Sequence, residues 1–210
     1  MAFSGFPDEA FVFYEGLAAD NSKTYWTRHR TTYEEAVRAP MVALGEELTA
    51  EFGTAHLFRP YRDVRFAKDK SPYKTHQGLY APVFDGTGYY VQLDAEGIYA
   101  GAGFYAGSSD QLGRFRDAVA EELTGPALEK IVEGLRAAGH AIEGDRLKTR
   151  PRGFPADHPR IELLRHRSLH AGRRFEPEPW VYTPEVQARV RATWRELRPL
   201  VEWLTDHAKP

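Results

Sequence analysis

Three short runs with a two-residue period, joined by two tight turns, constrain this chain more than any other feature. Residues 77–84 are rich in aromatics and bounded by Pro72 and by Asp85-Gly86. Residues 89–94 alternate, with Val91 and Leu93 on one face and Tyr90 and Gln92 on the other. Ala95-Glu96-Gly97 then turns the chain into residues 98–105. Side chains of an extended chain point to opposite faces in turn, and connections this short join neighbours antiparallel. The segment therefore predicts an antiparallel meander. In its last run Gly101 and Gly103 share a face with Tyr99 and Tyr105, which marks a close approach by a packed element or a trough for a ligand.

Helical periods flank the meander. Pro7-Asp8-Glu9 places acidic residues at the positive end of a helix that carries Phe11, Tyr14 and Leu17 and stops at Asp20-Asn21. Residues 22–52 read as one or two helices, with a kink or restart at Pro40 and Gly53 as the C-terminal cap. Ser108-Ser109-Asp110-Gln111 fits a capping box, and a further helix runs over residues 126–138. A short helix follows Asp157-His158-Pro159, residues 168–175 read as a strand, and Thr183-Pro184-Glu185 opens a long helix to about Asp206. That last helix points Val186, Val190, Trp194, Leu197, Val201 and Leu204 inward; Trp194 and Trp203 either share a wide core-facing arc or offer an aromatic to a partner. With no linker-like stretch or internal repeat, the pattern is α+β in one domain over residues 1–210: a meander of about four or more strands packed by N-terminal, central and long C-terminal helices.

The chain has no cysteine, which excludes disulfides, thiol catalysis and cysteine-ligated metals. It opens without a basic region followed by an apolar run, and no stretch reaches the roughly 18 apolar residues of a membrane span. The expectation is a cytoplasmic protein with no membrane association.

The formal net charge of −2 conceals two basic stretches. Residues 59–74 carry six cations (Arg59, Arg62, Arg65, Lys68, Lys70, Lys74) against Asp63 and Asp69, a net of +4. Residues 145–174 carry nine cations against three acids, a net of +6. In the first, residues 62–66 alternate like a strand and Ser71-Pro72 makes a turn. In the second, Arg146, Lys148, Arg150 and Arg152 would line one face of an extended segment. Guanidinium and ammonium groups at a strand-to-turn junction suit a phosphate or carboxylate. Arg62, Arg65, Lys68, Lys70, Lys74 and the Tyr73 hydroxyl are the candidate ligand-binding groups, with Arg150 and Arg152 closing the site from the opposite side. In the alternative, Arg62 pairs with Asp63 or Asp69 and the motif is a salt-bridge network that locks strand to turn.

These residues also carry a resemblance. Arg62-Asp63-Val64-Arg65-Phe66, Lys68-Asp69-Lys70-Ser71-Pro72-Tyr73-Lys74, Gly88-Tyr89-Tyr90, Gly101-Ala102-Gly103, Arg150-Pro151-Arg152-Gly153-Phe154 and Asp157-His158-Pro159 are similar to the domain-of-unknown-function family numbered 2461, of bacteria and fungi. That family typically opens with two asparagines and a Trp-Phe-like pair, where this chain has Asp20-Asn21 and Tyr25-Trp26. The resemblance implies membership and one domain, and brings no activity with it.

Function is an expectation from the basic motif: binding of an anionic small molecule, phosphorylated or carboxylated, with a catalytic step left open. Asp63, Asp69 and His158 are the catalytic candidates, because each lies in a basic or turn-rich motif. His166 and His170 have the spacing of metal ligands on a helix, but no suitable carboxylate joins them, so neither metal nor cofactor is expected. Tyrosines at 61, 73, 80, 90 and 99 among cations would also serve a nucleic-acid surface, although a pI of about 6.5 is low for one. A purely structural or interaction protein is the third class, and the oligomeric state stays open.

Overall fold

The protein is described from a computed structural model, and the structure describes residues 2–65 and 69–209. The fold is α+β. Its helices are α1 (Asp8–Ala19), α2 (Lys23–Thr32), α3 (Ala39–Phe52), α4 (Ser109–Ala120), α5 (Gly125–Ala137), α6 (Ile161–Leu164) and α7 (Glu185–His207). Its strands are β1 (His56–Leu57), β2 (His76–Phe84), β3 (Thr87–Asp94), β4 (Gly97–Tyr105), β5 (Ala141–Glu143) and β6 (Ser168–Phe175), in the sheet order β1-β2-β3-β4-β6-β5. The meander stands as its alternation requires: Tyr89, Val91 and Leu93 are buried while Tyr90, Gln92 and Asp94 are half-buried.

Two compact units make up the chain. The first comprises Met1–Ala81, Tyr90–Ala100 and Arg174–Ala192; the second comprises Pro82–Tyr89, Gly101–Arg173 and Thr193–Pro210. In the first, α1 buries Phe11, Phe13, Tyr14 and Leu17 and ends at Asp20, after which the Ser22 hydroxyl accepts the Tyr25 N–H at 3.1 Å and starts α2. Pro40 acts one turn earlier than expected. It sits in the first turn of α3, where it has no N–H to offer residue 36 and its ring crowds that carbonyl. The preceding turn, Tyr33–Arg38, widens to π geometry, with the Ala39 N–H reaching back to the Glu34 carbonyl.

Residues 62–65 do not form the expected strand. Tyr61 and Tyr73 make an isolated bridge, flanked by Arg62 N–H to Pro72 O at 2.9 Å and Lys74 N–H to Pro60 O at 2.8 Å. Beyond this neck the polar side chains take over the backbone. Asp63 Oδ1 accepts the Arg65 N–H, Asp69 Oδ1 accepts the Ser71 N–H, and Lys70 Nζ donates to Val64 O at 2.8 Å. Such local bonds compete directly with a ladder. Phe66, the last residue of the expected strand, lies outside the described residues.

In the second unit, Ser108 caps α4 through the Gln111 N–H, as expected, and the Gln111 side chain accepts the Gly107 N–H and donates to Asp85 O. The Gly103 face is no trough: a Cβ there would lie 2.4 Å from Cα of His170, so strand β6 fills it. Residues 146–152 are also not a strand face. Only Arg146 bridges, to His166, and Leu147 and Lys148 direct their carbonyls to the Arg165 guanidinium. Pro151 offers no N–H for a ladder. Both tryptophans of α7 are buried, Trp194 against Tyr89 and Trp203 donating its indole N–H to Thr124 O at 3.0 Å.

Arg160 ties this unit together. Nearly fully buried, it donates to the carbonyls of Val119 and Ala120 at the end of α4 and pairs with Glu122 at 2.6 Å. Gly125 makes the space: a Cβ there would lie 2.4 Å from Arg160 Nε. Arg160→Ala removes the donors from buried carbonyls and should lower stability by about 3 kcal/mol, read as the midpoint of urea unfolding.

Candidate functional site

The basic loop is held from beneath by the N-terminal helices. The Asn21 carboxamide, between α1 and α2, donates to Tyr73 O at 3.0 Å and accepts the Tyr73 N–H at 3.1 Å. Trp26 of α2 stacks on the Tyr73 ring with 4.3 Å between centroids and 6° between planes. Tyr33 donates to Gln77 Oε1 at 2.7 Å in the interior, and Gln77 Nε2 donates to Phe58 O and Gly78 O. Burial drives the Tyr33 hydroxyl pKa up to about 12, so it remains a donor. Tyr73 is thus a wall of the loop, its ring buried between Trp26 and Tyr61.

Within the loop several sequence candidates engage one another. Arg65 forks onto Asp63 at 3.0 and 2.6 Å, and Arg62 Nη1 meets Asp69 Oδ2 at 2.8 Å. The Arg65 hydrogen bonds hold the Asp63 carboxyl below its ordinary pKa, and the Ser71 hydrogen bonds do the same for Asp69. Both are carboxylates at neutral pH: charged acceptors and not proton donors. Lys68 lies outside the described residues.

Cations without such partners gather on the other side of the neck. Lys74 precedes β2, with a bend at Thr75 between it and His76, the first residue of that strand. Lys74 Nζ lies 5.2 Å from the centroid of the Phe58 ring, and among the described residues it has no carboxylate partner. Burial, then the positive fields of Arg59 and Arg62, lower its pKa. The His76 pKa is lowered by burial, then by Lys74, with Arg62 and Arg174 adding to the effect and Asp94 opposing it. The field at His76 is thus set by Lys74, Asp94, Arg62 and Arg174, and that at Lys74 by Arg59 and Arg62. Arg62 Nε is buried with no hydrogen-bond partner among the described residues.

A polar strand face backs this cluster. Arg174 forks onto Asp94 at 2.7 and 3.0 Å, Gln92 donates to Asp94 at 2.7 Å, and Tyr90 donates to Gln92 at 2.8 Å. Tyr90 lies across Gly78, where a Cβ would come within 2.6 Å of its hydroxyl oxygen. Only glycine leaves that room. Phe58, 43% exposed, completes the wall with Tyr80 and Tyr90 at 6.2 Å.

The neck, the loop and this face all fall within residues 9–203, the span matched by a family model. The chain belongs to the conserved hypothetical protein family DUF2461. No curated protein and no solved structure matches it.

The DUF2461 motifs of the second unit have local structural duties. Arg150 Nη1 donates to Phe154 O at 2.6 Å and closes the turn there, while Arg152 is exposed. His158 Nδ1 accepts the Arg160 N–H at 3.0 Å, which places it in the turn before α6. His166 is buried with Nδ1 2.8 Å from Ser168 O, and His170 stacks on Tyr105. Among the described residues no three His, Asp or Glu side chains are grouped to hold a metal, and no helix is long and apolar enough to cross a membrane.

His76 and Arg174 were absent from the sequence candidates. The closeness in sequence to Lys74 was available for His76; nothing local announced Arg174, which meets Asp94 across 80 residues.

Asn21→Ala leaves both backbone groups of Tyr73 without a partner and should cost about 2 kcal/mol of stability, measured by denaturant unfolding. A second expectation concerns pH. His76, His140, His166 and His170 all have pKa values lowered chiefly by burial. The unfolded chain, with histidines near about 6.5, therefore takes up protons first on acidification. The stability these neutral histidines contribute is complete above that value and declines as pH falls below it, so the melting temperature should hold level from pH 7.5 to about 6.5 and fall from there to pH 5.5.

Proposed function

We propose that the protein binds a small oxyanion, phosphorylated or carboxylated, at the corner formed by Arg59, Arg62, Lys74 and His76. The observation that carries this reading is Lys74: a half-buried ammonium beside two guanidinium groups, without a carboxylate partner among the described residues. Like charges held together and partly desolvated raise the energy of the site, and an anion lowers it. The orphaned Nε–H of Arg62 supplies a donor for such a ligand, and the neutral His76 accepts or donates one hydrogen bond. Phe58 and Tyr90 would supply its apolar wall. We place this activity in the cytoplasm, where phosphorylated and carboxylated metabolites abound and a chain without cysteine needs no oxidising milieu.

A self-contained salt-bridge loop is the competing reading. The Asp63–Arg65 and Asp69–Arg62 pairs favour it, but it leaves Lys74 unexplained.

Calorimetric titration and thermal shift with inorganic phosphate, glycerol 3-phosphate and citrate test the site. At 100-fold excess over its dissociation constant a bound anion stabilises the native state by about 2.7 kcal/mol. Lys74→Gln removes the charge and leaves a polar side chain at a half-buried position that has no carboxylate partner among the described residues, so it should melt near the wild-type temperature while weakening the anion about tenfold or more. If no anion shifts the wild type, or if Lys74→Gln binds as well as wild type, the reading is wrong.

A further inference from the structure

Asp69 already occupies part of this corner. Its Oδ2 lies 2.8 Å from Arg62 Nη1, while its Oδ1 accepts the Ser71 N–H at 2.9 Å, so the carboxylate is held from both ends. Its Oδ2 stands where one oxygen of a ligand carboxylate would stand on Arg62. Being tethered to the same loop, it acts at an effective concentration on the order of millimolar or higher. A free monocarboxylate that took its place would exchange one negative charge for another and still bear the cost of association.

Two donors remain that Asp69 does not reach. Among the described residues Lys74 has no carboxylate partner, and Arg62 Nε–H is buried without an acceptor. Arg174 is already answered by Asp94, with Glu96 at 3.8 Å. The charges of this corner, Arg59, Arg62 and Lys74 against Asp69, leave a net of +2. A phosphate monoester carries close to −2 at neutral pH and has three terminal oxygens that diverge tetrahedrally. It can therefore meet Lys74 and the free edge of Arg62 while Asp69 stays in place.

Resting on the function proposed above, we infer that the site selects phosphate-monoester dianions over monocarboxylates, and that Asp69 is the internal competitor that enforces the choice. Asp69 is a specificity-determining residue by this argument; it makes no contact with the ligand.

The test compares glycerol 3-phosphate with lactate by calorimetry, on wild type and on Asp69→Asn. The amide keeps an acceptor for the Ser71 N–H, so the turn is preserved. Wild type should bind the phosphate ester about tenfold or more tightly than lactate. In Asp69→Asn lactate should tighten more than the ester, so that the ratio between them shrinks. The wild-type affinity for the ester should also fall as pH drops through about 6, where the monoester takes up a proton, and that for lactate should not follow it. Equal affinity of wild type for both ligands overturns the inference and leaves the anion site standing, as does a ratio that Asp69→Asn fails to change. Failure of both ligands to bind either protein overturns the site itself, and the inference with it.

Discussion

The Asn21 carboxamide holds both backbone groups of Tyr73, and the basic loop depends on that clamp. A chain leaving a two-residue neck needs partners for the N–H and C=O groups that no ladder continues to satisfy. Asn21 supplies both to one residue, and Trp26 covers the ring of the same residue. The loop is thereby anchored at Tyr73 while its interior is free to organise around its own side chains. Those side chains do so with short-range bonds: Asp63 to Arg65, Asp69 to Ser71, Lys70 to Val64.

The clamp has an electrostatic consequence. By fixing the neck, it sets Lys74, just before β2, and His76, at its first position, in the positive field of Arg62, and like charges come together that would separate in a mobile chain. The loop carboxylates do not relieve all of this, because Asp63 is committed to Arg65 and Asp69 to a single edge of Arg62. Part of the positive field stays unanswered at a half-buried position, that of Lys74. In the anion site proposed above, partial burial would supply strength, and selectivity would follow from which donors are already paired.

The second unit handles its charges in the opposite way. Arg160 is buried and fully engaged, by two carbonyls and Glu122. His140, after the end of α5, shares Glu196 of α7 with Arg173. Arg160 and Arg173 each meet a carboxylate and at least one backbone carbonyl there, as charges taken out of water must to be tolerated. The half-buried His158 and the exposed Arg150 there bond within their own turns.

Much of the framework was legible in the residues themselves. The period-two runs became β2, β3 and β4, residues 168–175 became β6, and the capping signals marked α1, α4 and α7. These features are set by neighbours one to four positions away, which is the range over which backbone sterics and local hydrogen bonds act. The strands expected over residues 62–66, of which 62–65 are described, and over 146–152 are absent from the described residues for a related reason: alternation was present, but local side-chain bonds and Pro151 offered the backbone another arrangement. The site was legible only in outline. That residues 59–74 are basic was plain, whereas which cations keep their charge unanswered was decided by Asn21 reaching Tyr73 across 52 residues and Arg174 reaching Asp94 across 80. Charge pairing and desolvation depend on distance in space, and sequence separation carries no record of it until the chain has folded.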